Sequence, residues 1–115
     1  MAKEIKWYKV IDQLSMLEFQ PNDMCIVEAN SKKITLAKHN NSLFAFAHKC
    51  PHASGIMADG FINALGNVVC PLHRFSFNIQ NGRNTSGEGY YLKTYLVEER
   101  VDGVFVGMEK VGLFG

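Results

Sequence analysis

Two short clusters, Cys50-Pro51-His52 and Cys70-Pro71-Leu72-His73, stand seventeen residues apart, and each offers one thiol and one imidazole. If they serve one site, residues 53–69 must run out, turn and return. Seventeen residues are enough for that. Thiolate and imidazole together suit zinc or iron, metals that accept both soft and borderline ligands. Structural zinc sites usually carry their cysteines as a close C-x2–4-C pair, a spacing absent from this sequence. In both clusters a proline follows the cysteine directly. Its fixed φ and missing N–H stiffen the turn that presents the histidine.

The rest of the chain reads as strands. Short β-rich runs separated by turn residues predict an all-β domain. Strands are expected at residues 7–11, 24–29, 33–38 and 43–47, with residues 12–23 a loop holding one short helical turn. In the second strand Cys25, Val27 and Ala29 share one face and Met24, Ile26 and Glu28 the other. Residues 33–38 alternate as a half-buried strand does. Asn40-Asn41 supplies a tight turn, because asparagine tolerates positive φ. Phe61-Ile62 and Val68-Val69 form a small hairpin, residues 75–79 continue as a strand ending at Asn81-Gly82, and residues 84–89 form a polar loop. The last hairpin runs over residues 92–101 and 104–108 with Asp102-Gly103 as its turn. The tail, residues 111–115, is expected to fray or dock lightly.

Composition narrows the functional class. A chain of 115 residues is most simply one domain. A net charge of +1 without a basic run argues against nucleic-acid binding. There is no signal-peptide core and no stretch near the roughly 20 apolar residues of a membrane span, so no membrane role is expected. Three cysteines cannot make a multi-bridge disulfide framework, which fits a reducing, cytoplasmic setting. We find no 2-His-1-carboxylate site and no nucleotide-binding glycine loop. The chain reads as a carrier and not as an enzyme.

With these residues in hand, the chain resembles the soluble Rieske ferredoxins. The likeness runs from Trp7-Tyr8-Lys9-Val10 through both clusters to residues 77–82 and the closing hairpin. It implies an all-β Rieske iron–sulfur fold, with antiparallel sheets and a cluster-binding subdomain over roughly residues 47–83 of a single domain, 1–115. It implies one [2Fe–2S] cluster with Cys50 and Cys70 on the inner iron and His52 and His73 on the outer, near solvent. It also implies redox partners: a ferredoxin reductase and a terminal oxygenase. Alternatively the chain is the small subunit of a complex such as assimilatory nitrite reductase, whose large subunit would be its partner. A structural zinc domain is a third reading.

Charge explains what such a ligand set does. Two thiolates cancel the double positive charge of an oxidised [2Fe–2S] core when both histidines are neutral. Reduction then leaves a singly negative site, whereas four thiolates would already carry that excess. Histidine ligation thus raises the potential, to about −150 to +300 mV. Rieske proteins of the respiratory and photosynthetic complexes add one cysteine per box, forming a disulfide, and serine and tyrosine hydroxyl donors. The corresponding positions here are Gly55, Leu72, Phe75 and Phe77. Lacking the disulfide and the hydroxyls, the resemblance implies a potential near the bottom of the range.

Other residues read more plainly. Cys25 is expected in the core, and His39 and His48 on the exposed surface. Met57, Leu72 and Phe75 are expected to shield the cluster mouth. Arg74 stands where many relatives have glycine, and could place positive charge beside His73 for an acidic partner. A third covering loop, often proline-containing in relatives, would be residues 84–89, which hold no proline.

Overall fold

The computed structural model describes residues 4–51, 55–87 and 89–109; His52 and residues 111–115 lie outside them. Among the described residues nine strands carry the fold: β1 (Ile5–Ile11), β2 (Met24–Ala29), β3 (Lys32–His39), β4 (Ser42–Ala47), β5 (Phe61–Ile62), β6 (Asn67–Val69), β7 (Ser76–Asn78), β8 (Thr94–Arg100) and β9 (Gly103–Glu109). Short 3-10 turns occupy Leu14–Met16 and Met57–Asp59. Six strands form an antiparallel base in the order β1-β9-β8-β4-β3-β2, and β5-β6-β7 form a second, small sheet.

Local chemistry sets the first hairpins. Asn30 and Ser31 join β2 to β3, and Asn40 and Asn41 join β3 to β4, all four with positive φ. Paired positive-φ residues give a turn whose twist matches that of the strands it joins. Asn40-Asn41 is as expected from the sequence. The Asn30-Ser31 turn is not foreshadowed, because serine is a weak signal for positive φ.

Strand β8 joins the two parts of the base. Its start pairs with β4, at Ala45–Tyr95 and Phe46–Thr94, while residues 96–100 pair with β9. The base curls as a result, and Cys25, Ile34, Leu36, Ala45, Val104 and Val106 close into one core. Cys25 lies there as expected.

Two expectations need correction. Residues 34–37 of β3 are buried in sequence, so this strand is not half-buried. Ile34 and Leu36 face the base core, whereas Ala37 joins Met24 and Phe46 in a second core under the small sheet. Thr35, fully buried between them, donates its hydroxyl to the Ala47 carbonyl at 3.2 Å. The last turn is shifted by one residue. Arg100 pairs with Gly103, so Val101-Asp102 form the loop. Gly103 instead opens β9, where a Cβ would stand 2.5 Å from the Ile11 carbonyl oxygen.

The excursion between β4 and β8 carries both sequence clusters. It leaves β4 at residue 47 and rejoins beside it, with Ala47 N–H donating to the Lys93 carbonyl at 2.9 Å. The second core is mostly its own: Met57, Ala58, Val68, Phe77, Ile79 and Leu92, built over Met24, Ala37 and Phe46. Burial of such side chains stabilises by about 1.5–3 kcal/mol each for the larger ones, so this core fastens the excursion to the base.

Candidate metal centre

Two loops at the end of the small sheet share one backbone design. Cys50 N–H donates to the Gly55 carbonyl at 2.8 Å, and Cys70 N–H donates to the Phe75 carbonyl at 2.7 Å. Each cysteine thus roots a loop that its own amide closes five residues later. Position 48 of the first loop's approach is tied as well, since Met57 N–H donates to the His48 carbonyl at 2.9 Å.

Both cysteines are buried, Cys70 completely, at the upper edge of the second core. The two thiols are neighbours. Burial above all pushes the Cys70 thiol upward, the neighbouring Cys50 adds to that, and a hydrogen bond from the Leu72 amide at 3.4 Å opposes it. Two adjacent thiols on an apolar floor ionise together only if a strong positive charge sits between them. That is the demand a cationic metal core meets, so the donor pair fits such a group. All three cysteines, Cys25, Cys50 and Cys70, are free.

The loops meet closely. A Cβ on Gly55 would lie 2.8 Å from Cys70 Sγ and 3.2 Å from Leu72 Cγ. Glycine is what lets the first loop lie against the second cysteine. Leu72, 45% exposed, fills the space across from Gly55 by contact alone.

His73 occupies the tip of the second loop and is exposed. It and Arg74 both adopt the left-handed conformation, with φ of 61° and 57°. Two such residues in succession reverse the chain so that Phe75 returns to close the loop. His52, expected to mirror His73, falls outside the described residues. Among those described, no group of three or more histidine, cysteine or acidic side chains gathers at metal-binding distance.

The shielding residues separate. Phe75 is half-buried and packs on the second core, Leu72 is at the surface, and Met57 is fully buried. Met57 is therefore floor and not rim, because its 3-10 turn points it into the core. His48 is also corrected: its ring Nδ1 is buried without a hydrogen-bond partner. Burial first, then Lys33 and Lys49, lower its basicity, against a smaller pull from Asp59. His39 is half-buried at the end of β3, its Nε2 beside Gly66.

The sequence also gave no sign of two supporting side chains. Gln20 Nε2 donates to the Ala58 carbonyl at 3.0 Å, and Asn22 Nδ2 donates to those of Ala58 and Gly60 at 2.8 and 2.9 Å. They clamp the 57–60 segment from below. An open cleft of about 1000 Å³ lies elsewhere, along Lys38, His39, Asn41, Leu43 and Val97, and none of Cys50, Cys70 or His73 lines it.

Residues 6–95 match the Rieske [2Fe-2S] domain. This chain belongs to the Rieske [2Fe-2S] domain family. Membership implies an iron–sulfur cluster. The ferredoxin component of the alkene monooxygenase system of Xanthobacter autotrophicus (strain ATCC BAA-1158 / Py2) is 20% identical over 99 residues, 86% of this chain and 81% of that protein. The ferredoxin of carbazole 1,9a-dioxygenase from Nocardioides aromaticivorans IC177 superposes with a TM-score of 0.72 at 19% identity, covering 84% of this chain and 93% of that one. A Mycobacterium tuberculosis chain assigned as the small subunit of an NADH-dependent nitrite reductase superposes with a TM-score of 0.75 at 14% identity, covering 96% and 100%. At these identities the superpositions establish the Rieske fold of the chain.

Proposed function

We propose that this Rieske domain is a one-electron carrier, with a [2Fe–2S] cluster held by Cys50, His52, Cys70 and His73. The single observation that carries the reading is the pair of buried, neighbouring thiols of Cys50 and Cys70, each rooting a loop whose backbone closes five residues later. Bound there, the cluster supplies reversible one-electron chemistry at a potential raised by its histidine ligands. The chain's own residues do the rest. The second core excludes water from the sulfur side, the Leu72 amide donates to Cys70, and His73 stands exposed at the tip of the second loop. We read the chain as one domain, 1–115, whose cluster-binding part spans about residues 47–83.

The partners follow by analogy with the ferredoxin relatives: a reductase as donor and a terminal oxygenase as acceptor. The nitrite-reductase likeness supports a second reading, in which the domain is a small subunit docked on a large one. Among the described residues no helix is long and apolar enough to cross a membrane, and we assign the carrier to the cytoplasm. Purified protein is expected to hold two irons and two sulfides per chain and to give a rhombic reduced-state electron paramagnetic resonance spectrum. Zinc in their place would sink the reading. Voltammetry is expected to give a midpoint near the lower end of the Rieske range, and Phe75→Ser, by adding a hydroxyl donor near sulfur, should raise it. Co-purification with a sirohaem protein would favour the second reading over the first.

A further inference from the structure

Aromatic rings continue outward from His73 along a line that the proposed electron-transfer role does not use. The His73 and Phe75 ring centroids lie 6.3 Å apart with the planes tilted by 53°. Phe75 in turn stacks on Tyr90, with centroids 6.4 Å apart and an interplanar angle of 25°. Both separations fall within the roughly 4.5–7 Å at which offset or tilted aromatic pairs attract. Tyr90 is 44% exposed and follows directly on the third loop, residues 84–89, outside either cysteine loop.

That third loop is fastened to the second at the next residue. Ser76 N–H donates to Ser86 Oγ at 3.0 Å, Thr85 N–H donates to the Ser76 carbonyl at 2.8 Å, and the Ser76 and Thr85 hydroxyls lie 2.7 Å apart. Gly87 N–H closes a turn onto Asn84 Oδ1 at 2.7 Å. Beyond that turn a cavity of about 240 Å³ opens among Arg83, Asn84, Gly87, Gly89, Tyr90 and Tyr91. Gly89, Tyr90 and Tyr91 therefore border open space on one side, and the Phe75–Tyr90 stack is a contact that holds Tyr90 against the second loop.

We propose that Tyr90 is a positioning residue: by stacking on Phe75 it fixes the ring against which His73 rests, and so sets the orientation of that imidazole. The inference rests on the proposed [2Fe–2S] reading. Imidazole orientation at a metal is set by the groups behind it. The phenol hydroxyl is not required for this, whereas the ring is.

Three substitutions in the cluster-loaded protein test it, read by the reduced-state paramagnetic resonance spectrum, the midpoint potential and the lifetime of the cluster in air. Tyr90→Phe is expected to match the wild type. Tyr90→Leu is expected to broaden the spectrum, shift the midpoint and shorten the lifetime about threefold or more. Phe75→Leu and the Phe75→Leu/Tyr90→Leu double variant are expected to behave alike, because Tyr90 has nothing left to act through. Additive losses in the double variant, or a Tyr90→Leu protein identical to wild type in all three readouts, would overturn the inference while leaving the electron-carrier reading intact. A wild-type protein that takes up no cluster overturns both. Far-ultraviolet circular dichroism separates these effects from unfolding: a Tyr90→Leu protein that loses its sheet signal would make the residue structural and also overturn the inference.

Discussion

Replacing Gly55 with alanine adds one methyl group at the closest approach between the two cysteine loops. The new Cβ would stand 2.8 Å from Cys70 Sγ and 3.2 Å from Leu72 Cγ, against an ordinary separation of about 3.5–4.0 Å. Leu72 can give way outward, since it is 45% exposed. Cys70 cannot, because its sulfur is buried and holds the Leu72 amide at 3.4 Å. Overpacking of this kind costs about 1–3 kcal/mol. Residue 55 lies outside the left-handed region, so alanine recovers about 0.4–1 kcal/mol from the unfolded chain. The net loss is about 0–2.5 kcal/mol, and at about 4 °C per kcal/mol for a domain of this size the melting temperature of the cluster-free protein falls by up to about 10 °C. The effect on metal loading is larger. A sulfur pushed by about 1 Å exceeds the roughly ±0.2 Å latitude of a metal–ligand bond several times over. Reconstitution with iron and sulfide is therefore expected to load Gly55→Ala several-fold less than wild type, assayed by iron and sulfide content per chain. Full loading with an unchanged reduced-state spectrum and an unchanged melting curve would refute the claim that Gly55 exists to admit Cys70.

Other substitutions probe different parts of the chain. Arg74 holds φ at 57°, a conformation that costs a non-glycine residue about 1–2 kcal/mol; Arg74→Gly returns that, loses about 0.4–1 kcal/mol to the unfolded state, and should raise denaturant stability of the cluster-free protein by up to about 1.5 kcal/mol, a marked fall counting against the strain argument. In β9, Gly107→Ala sets a Cβ 2.9 Å from Ile5 Cγ2 and about 3.0 Å from the Trp7 ring, so urea unfolding should show a loss of about 1–3 kcal/mol. Burial raises the Cys25 thiol above its ordinary value, with Lys38 opposing weakly. The folded state then keeps a proton that the unfolded chain gives up, so stability from this group is full below about pH 8.5 and is lost as pH rises beyond it. Cys25→Ala should flatten that alkaline decline in the cluster-free protein, and an unchanged slope would exclude Cys25 as its source.

What could be read in advance was what depends on near neighbours. The 61–62 and 68–69 hairpin, the Asn40-Asn41 turn and the closing pair of strands rest on local turn chemistry and period-two patterning, and they lie within a residue or two of their expected places. The approach of Cys50 to Cys70 followed from spacing and proline. What escaped depends on distant partners. Nothing in residues 33–38 says that a second sheet will cover their outer face. Nothing near Gln20 or Asn22 announces carbonyls 36 to 38 residues away. A lone histidine usually lies on the surface, yet the 57–59 turn packs back over the His48 backbone. The shift of the final turn to Val101-Asp102 has the same origin: Gly103 is used up by the Ile11 carbonyl of a strand at the other end of the sequence.

The return of the chain to β8 beside β4 also bears on engineering. Because Ala45 and Phe46 face Tyr95 and Thr94 directly, the ends of the 48–92 excursion stand one strand spacing apart, about 5 Å. A two-residue turn could bridge them, so this segment has the geometry of a cassette that any antiparallel strand pair could accept. The cassette is portable only with its seat. Met24, Ala37 and Phe46 lie under it fully buried, and removing it would leave a bare apolar patch on the base. A host receiving it would need a matching trio on that face of its sheet, one residue on each of three adjacent strands, as on β2, β3 and β4.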